Sequence, residues 1–272
     1  MIEKVVILDW SGTLSPDAVR FADDDNLTEA LEQSGLAALG ITDPETFWSR
    51  IVNPTWEEGS TTPVGYAEVI VRRIKEVFSP AVPDERIRAS AARFVANYLG
   101  HSPADHRWNR ILKKLSEDSS VITVVATDHY AEATGAIIRS LKEIGIPAAP
   151  LQNAPGASPS LVIANSADMG AHKDDHIYWE TILHSPGLEA VRRVLIVDDF
   201  GFNEVTGDSY GERRKVEERK RATLALLEGV FGVPASCVPF MWERTSDPER
   251  SDKALGDLIT GASVEIEGFL FE

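Results

Sequence analysis

Lys4-Val5-Val6-Ile7-Leu8-Asp9-Trp10-Ser11-Gly12-Thr13-Leu14 decides the fold. An apolar run ends in a lone carboxylate, and a Gly-Thr turn follows at once. Branched apolar residues favour strands, and a run without alternation suits a strand buried on both faces, as in a parallel sheet. Ligands of open α/β sheets bind beyond the carboxyl ends of the strands. Asp9 is therefore placed to act as nucleophile or metal ligand.

Four similar runs follow at Val121–Ala126, Leu161–Ala164, Val194–Val197 and Cys237–Trp242. Helical patterns separate them: Ala131–Ile144, Ile177–Leu183 and Glu212–Phe231. Such alternation predicts βαβ units and a Rossmann-like, doubly wound parallel sheet. Between Thr13 and Val121 no comparable strand occurs. Helical patterns at Leu27–Leu39, Pro44–Ile51, Tyr66–Phe78, Asp84–Leu99 and Asp105–Leu115, punctuated by Pro and Gly, predict an inserted helical domain over 16–116. Residues 1–15 and 117–272 are then the α/β core. Glu57–Gly65 reads as the insert's most loop-like stretch. The acidic tail after Trp242 reads as only partly packed.

The later strand ends carry the chemistry. The second run leads into Thr127-Asp128-His129, a hydroxyl followed by backbone amides entering a helix, which suits phosphate oxygens. Lys173 stands in the loop before Ile177, where an ammonium can reach a phosphoryl group. The fourth run ends in Asp198-Asp199, whose charges repel unless a cation neutralises them. Mg²⁺, held by one or two carboxylates with water and substrate oxygens, is the natural ion.

The order Asp9, Thr127, Lys173, Asp198-Asp199 resembles the four motifs of the haloacid dehalogenase (HAD) superfamily, and the long insert lies where that superfamily's helical type 1 cap belongs. The resemblance implies a hydrolase, most simply a phosphatase, working through an aspartyl-phosphate on Asp9. It implies Mg²⁺ held by Asp9, the Ser11 carbonyl and Asp199, with Asp198 ligating or adjacent. It implies that Gly12, Thr127, Asp128 and Lys173 surround the phosphoryl group. One position departs. The residue two after the nucleophile, an Asp in the superfamily's phosphatases that gives and takes the leaving-group proton, is Ser11 here. Three resolutions follow: a leaving group that needs no proton, another proton source among His129, His172, His101 and His106, or a slow or silent phosphate-binding regulatory protein. The Asp9-Trp10-Ser11-Gly12-Thr13 run is also similar to phosphonoacetaldehyde hydrolases, C–P hydrolases that use a cap lysine; only Lys75 lies in the insert before Arg110.

Bulk properties agree with such an enzyme. The 272 residues carry 43 acidic and 27 basic side chains, a formal charge of −16, which argues against nucleic acid and anionic membranes as partners. A small phosphorylated metabolite is the expected partner, and the chain reads as a monomer or homodimer. No membrane span or secretory signal is apparent and Cys237 is the single cysteine, read as a buried strand thiol, so the expected location is cytoplasmic. Glu212–Arg221 reads as a solvated mixed-charge helix start, and Trp48 and Trp56 as cap core.

Overall fold

A computed structural model describes residues 2–79, 81–153, 161–185, 188, 190–203 and 213–271. Strand β1 (Lys4–Leu8) is followed by α1 (Pro16–Phe21), α2 (Asp24–Ser34), α3 (Pro44–Phe47), α4 (Trp56–Thr61), α5 (Tyr66–Val77), α6 (Asp84–Gly100) and α7 (Asn109–Glu117). Then come β2 (Val121–Thr127), α8 (Glu132–Glu143), β3 (Ala149–Pro150), β4 (Leu161–Asn165), α9 (Ser166–Met169) and α10 (His176–Leu183). The chain closes with β5 (Arg193–Asp198), α11 (Arg213–Phe231), β6 (Ala235–Pro239) and α12 (Pro248–Phe271).

The six strands form one sheet in the order β3-β4-β2-β1-β5-β6, and every described pairing is parallel. The chain therefore leaves β1 toward β2 on one side and later crosses to β5 on the other. That is the topological switch point, where a crevice opens beyond the strand ends. Leu8 pairs with Val125 and Val197, so Asp9 emerges between the ends of β2 and β5.

Alternation along β1 builds two layers. Val6 and Leu8 face a cluster containing Leu112, Ile137 and Ile266, whereas Val5 and Ile7 face one containing Trp179, Ile182 and Leu227. The helices between β1 and β2 bury a third cluster of their own, centred on Leu31, Ile51, Ile70 and Phe94, which Tyr130 joins from the β2–α8 loop.

Four expectations change. The tail is not loosely packed: α12 buries Leu255, Ile259, Ala262, Ile266 and Phe269, at helical spacing, in the layer beneath β1. Glu57–Thr61 is helical rather than loop, and its Ser and Thr hydroxyls turn back to the carbonyls four residues earlier, as Thr61 does to Glu57, instead of competing for the backbone N–H groups. The last strand spans Ala235–Pro239 and stops before Trp242, whose amide instead donates to Asn203 Oδ1 at 2.7 Å. Cys237 lies in that strand, at the sheet edge, and is half-buried rather than buried. Residue 212, the expected start of α11, lies outside the described residues. No described helix is long and apolar enough to cross a membrane.

Ile266 is fully buried. Ile266→Ala should lower unfolding free energy by about 2–5 kcal/mol in urea titration. A cost below about 0.5 kcal/mol, typical of surface positions, would mean that α12 does not belong to the core.

Candidate active site

The turn after β1 is held from several sides. Ser15 N–H donates to the Trp10 carbonyl at 2.8 Å, Asp105 N–H to the Leu14 carbonyl at 2.8 Å, and Trp108 Nε1–H to the Thr13 carbonyl at 3.1 Å. Gly12 has φ +79°, a conformation that side chains rarely adopt, and a Cβ there would run into the Asp199 carboxylate. Glycine thus lets the turn close over the second acid. The Gly12 N–H is taken by the Ser15 carbonyl at 3.0 Å, so Gly12 supplies space here and no free donor.

A second turn wraps the acid pair. Phe200 N–H donates to Asp198 Oδ1 at 2.6 Å; Gly201 and Asn203 N–H donate to the two oxygens of Asp199 at 2.8 and 3.0 Å. Phe200, with φ 52°, and Gly201, with φ 73°, are both left-handed. Backbone conformations of this kind persist where the surroundings over-determine them. Asn203 ties both turns together: its Nδ2 donates to the carbonyls of Gly12 and Phe240, each at 2.8 Å.

Lys173 completes the centre. Its Nζ lies 2.8 Å from Asp9 Oδ1 and 2.8 Å from Asp198 Oδ2, and its N–H donates to Asp128 Oδ1 at 3.0 Å. Asp128 therefore positions the lysine loop. Asp9, Asp198 and Asp199 are all buried, with carboxylate oxygens within 4.8 Å of one another. Burial, reinforced by Asp198 and Asp199, raises the Asp9 pKa well above the carboxylate range despite Lys173. Burial and Asp198 push Asp199 up to about 7. Burial opposes the charge on Lys173, but Asp198 and Asp9 hold it protonated. Three acids against one ammonium leave two negative charges when all are ionised. A hard divalent cation such as Mg²⁺ fits this donor set.

Beyond the centre lies a cavity of ≈ 240 Å³ lined by Asp9, Ser11, Thr127 and Lys173 on the sheet side. Thus Asp9, Ser11, Thr127, Asp128, Lys173, Asp198 and Asp199 all gather at one crevice. The histidines do not supply an obvious acid. His129 is buried, which lowers its pKa to about 4; its Nδ1 accepts from Tyr130 N–H at 2.8 Å and its Nε2 meets Tyr98 Oη at 2.7 Å. His172 Nε2 meets Ser60 Oγ at 2.6 Å and its ring stacks on Trp56. His101 and His106 are exposed and do not line the cavity. Lys75 pairs with Asp84 on the surface. Asn203 belongs to the Asp-Asp-x-x-x-Asn spacing that carries the family resemblance, but the sequence alone assigns it no role, and it assigns none to Tyr130 or Glu132; no local signal marks Glu132, whose carboxylate accepts from Tyr66 N–H at 2.7 Å and Ala67 N–H at 3.2 Å.

No family model and no curated protein matches the chain. Among solved structures it is similar to a HAD-family enzyme from Bacteroides thetaiotaomicron (13% identity, 92% of this chain and 98% of that one, TM-score 0.48). It is also similar to a HAD-like family hydrolase from Porphyromonas gingivalis (10% identity, 88% and 92%, TM-score 0.46). A third is the 2-haloacid dehalogenase of Pseudomonas syringae (15% identity, 79% and 85%, TM-score 0.48). At these values the likenesses carry no weight for activity, which rests on the site itself.

The acid cluster has a thermodynamic signature. Asp199 binds its proton more tightly in the folded chain, with a pKa of about 7, than in the unfolded chain, about 3.9. The folded state then holds more protons between those values, so stability of cation-free protein should fall as pH rises from about 4 to 7. A divalent cation seated among these carboxylates would have to displace the proton, so its affinity should rise with pH from about 5 to 8, with net proton release near pH 6. Calorimetric titration in two buffers of different ionisation enthalpy measures that release. Equal Mg²⁺-induced Tm shifts at pH 5 and pH 8 would dismiss the coupling.

Proposed function

We propose that the chain is a Mg²⁺-dependent phosphohydrolase of HAD type, transferring the phosphoryl group of a small phosphorylated metabolite to Asp9 and then to water. One observation carries this reading: a single ammonium, Lys173, sits 2.8 Å from both Asp9 and Asp198, with Asp199 adjoining, at the ends of neighbouring parallel strands. Phosphoryl transfer depends mainly on positioning and on offsetting negative charge, and this centre offers a nucleophile beside a fixed cation.

In that role Asp9 Oδ attacks phosphorus while Lys173 offsets charge on the nucleophile and the transferring oxygens. Thr127 Oγ1, at the end of β2, orients the phosphoryl group. Asp9, the Ser11 carbonyl and Asp199 would hold Mg²⁺, and Asp198 steadies Lys173. When bound, the ion supplies further charge neutralisation. Residues 16–116 serve as the cap that excludes water. The C–P hydrolase alternative lacks support from Lys75, which is engaged by Asp84 at the surface.

Asp9→Asn should reduce hydrolysis of a panel of phosphate esters, acyl phosphates and phosphonates to background while leaving the fold intact by circular dichroism. Activity equal in wild type and Asp9→Asn would leave only a phosphate-binding protein. Ser11→Asp restores a proton donor, and general acid help typically contributes about 10²–10⁴ in rate. It should therefore raise kcat for an alkyl ester at least tenfold where Mg²⁺ binding is intact; an unchanged kcat would show that proton donation does not limit this site.

A further inference from the structure

The cavity over Asp9 is divided by chemistry. Among the described residues, every charged lining residue comes from the sheet side: Asp9, Asp128, Lys173, Asp174, Asp198, Asp199 and Arg219. Among the described residues the insert contributes no charged lining residue and a single amide, Asn53; the rest of its wall is apolar or aromatic and includes Phe47, Trp48, Val52, Tyr66, Phe94 and Tyr98. Several are held in ring-to-ring contact, such as Phe47 and Phe94 at 5.0 Å and Tyr66 and Tyr98 at 6.3 Å. A sugar or amino-acid phosphate has hydroxyl, amine or carboxylate groups to satisfy, and burying such groups without partners costs free energy. An aromatic wall instead takes flat apolar surface and arranges rings edge-to-face or offset. A dry apolar cavity of about 150 Å³ takes benzene, and the ≈ 240 Å³ here has to hold the phosphoryl end together with the ring.

A second, independent observation concerns the proton. Ser11 stands where a general acid is expected, His129 has both ring nitrogens engaged, and His172 is bonded to Ser60 and stacked on Trp56. With neither imidazole free to donate, the site favours a leaving group that is stable as an anion. A phenol, with a pKa of about 10, leaves as its anion far more easily than an alcohol, whose acidity is near that of water.

We propose that the substrates are aryl phosphates, phosphate monoesters of a phenol whose ring seats among Phe47, Trp48, Tyr66, Phe94 and Tyr98 while the phosphoryl group meets Asp9 and Lys173. This inference rests on the phosphohydrolase reading above. Asp9 Oδ forms the bond to phosphorus as the P–O(aryl) bond breaks. The electron pair leaves on the phenolate oxygen, which takes a proton from water. A second water attacks phosphorus, the P–O(Asp9) bond breaks, inorganic phosphate departs and the water's proton passes to solvent.

The test compares phenyl phosphate, benzyl phosphate, acetyl phosphate and glucose 6-phosphate with Mg²⁺, each corrected for Asp9→Asn. Phenyl and benzyl phosphate should have KM values within threefold of each other and at least tenfold below those of the other two. Phenyl phosphate should exceed benzyl phosphate at least tenfold in kcat. Phenylphosphonate should quench tryptophan fluorescence at least tenfold more tightly than inorganic phosphate, and Trp48→Ala should reduce that preference. If acetyl phosphate or glucose 6-phosphate matches phenyl phosphate in kcat/KM, the aryl assignment is overturned and the phosphohydrolase reading stands. If no compound shows Asp9-dependent hydrolysis, both are overturned.

Discussion

One ammonium holds the centre of this molecule together. Asp9, Asp198 and Asp199 come from two neighbouring strands and converge because the sheet puts their ends side by side. Their mutual repulsion in a buried setting would drive protonation or splay the strand ends apart. Lys173 spans the first two, and backbone amides of the 199–203 turn cradle the third. The lysine is itself aimed by Asp128, which accepts its backbone N–H. Removing the ammonium would strand buried negative charge, a larger cost than the loss of the pair itself. The arrangement still leaves the acids in excess, which is why the centre suits a divalent cation.

The insert meets the sheet through the short stretch that follows β2. Tyr130 stacks on Tyr66 at 3.8 Å, and His129 meets Tyr98. Glu132 accepts the first free N–H groups of α5, satisfying donors that a helix start leaves open and placing negative charge at the positive end of its dipole. Gly59 permits this approach, since a Cβ there would meet the Tyr130 ring. From the other side His172, next to Lys173, reaches Ser60. The aromatic wall is thereby fixed relative to the carboxylates at points adjoining two of the functional residues.

Much of this was legible in the residues. Continuous apolar runs at β1, β2, β4 and β5 mark strands buried on both faces, and the residues after them mark the crevice. The parallel sheet and the convergence of Asp9, Thr127, Lys173 and Asp198-Asp199 follow from that pattern. What escaped depends on tertiary contact. Ser60, Thr61 and Thr62 read as loop because hydroxyls compete with helix formation, yet here they bond back into their own helix. The apolar spacing of α12 was present but diluted by exposed acids, so the helix was passed over. The two-residue β3 exists only by pairing with β4. Nothing near Glu132 announces a cap for a helix 66 residues away, and the absence of charge from the insert's side of the cavity emerges only when six helices are brought around it.

The Glu132 cap and the Tyr130 stack have a consequence for how such a chain can change. The cavity is built from two separated stretches: residues 16–116, which shape the apolar wall, and residues 127–132, which dock it. The second stretch overlaps the end of β2. A graft that exchanges the insert alone would therefore arrive with an uncapped α5 and no ring against Tyr130. Exchanging both would carry Thr127 along, so a new wall and the hydroxyl that lines the cavity from the end of β2 are inherited together.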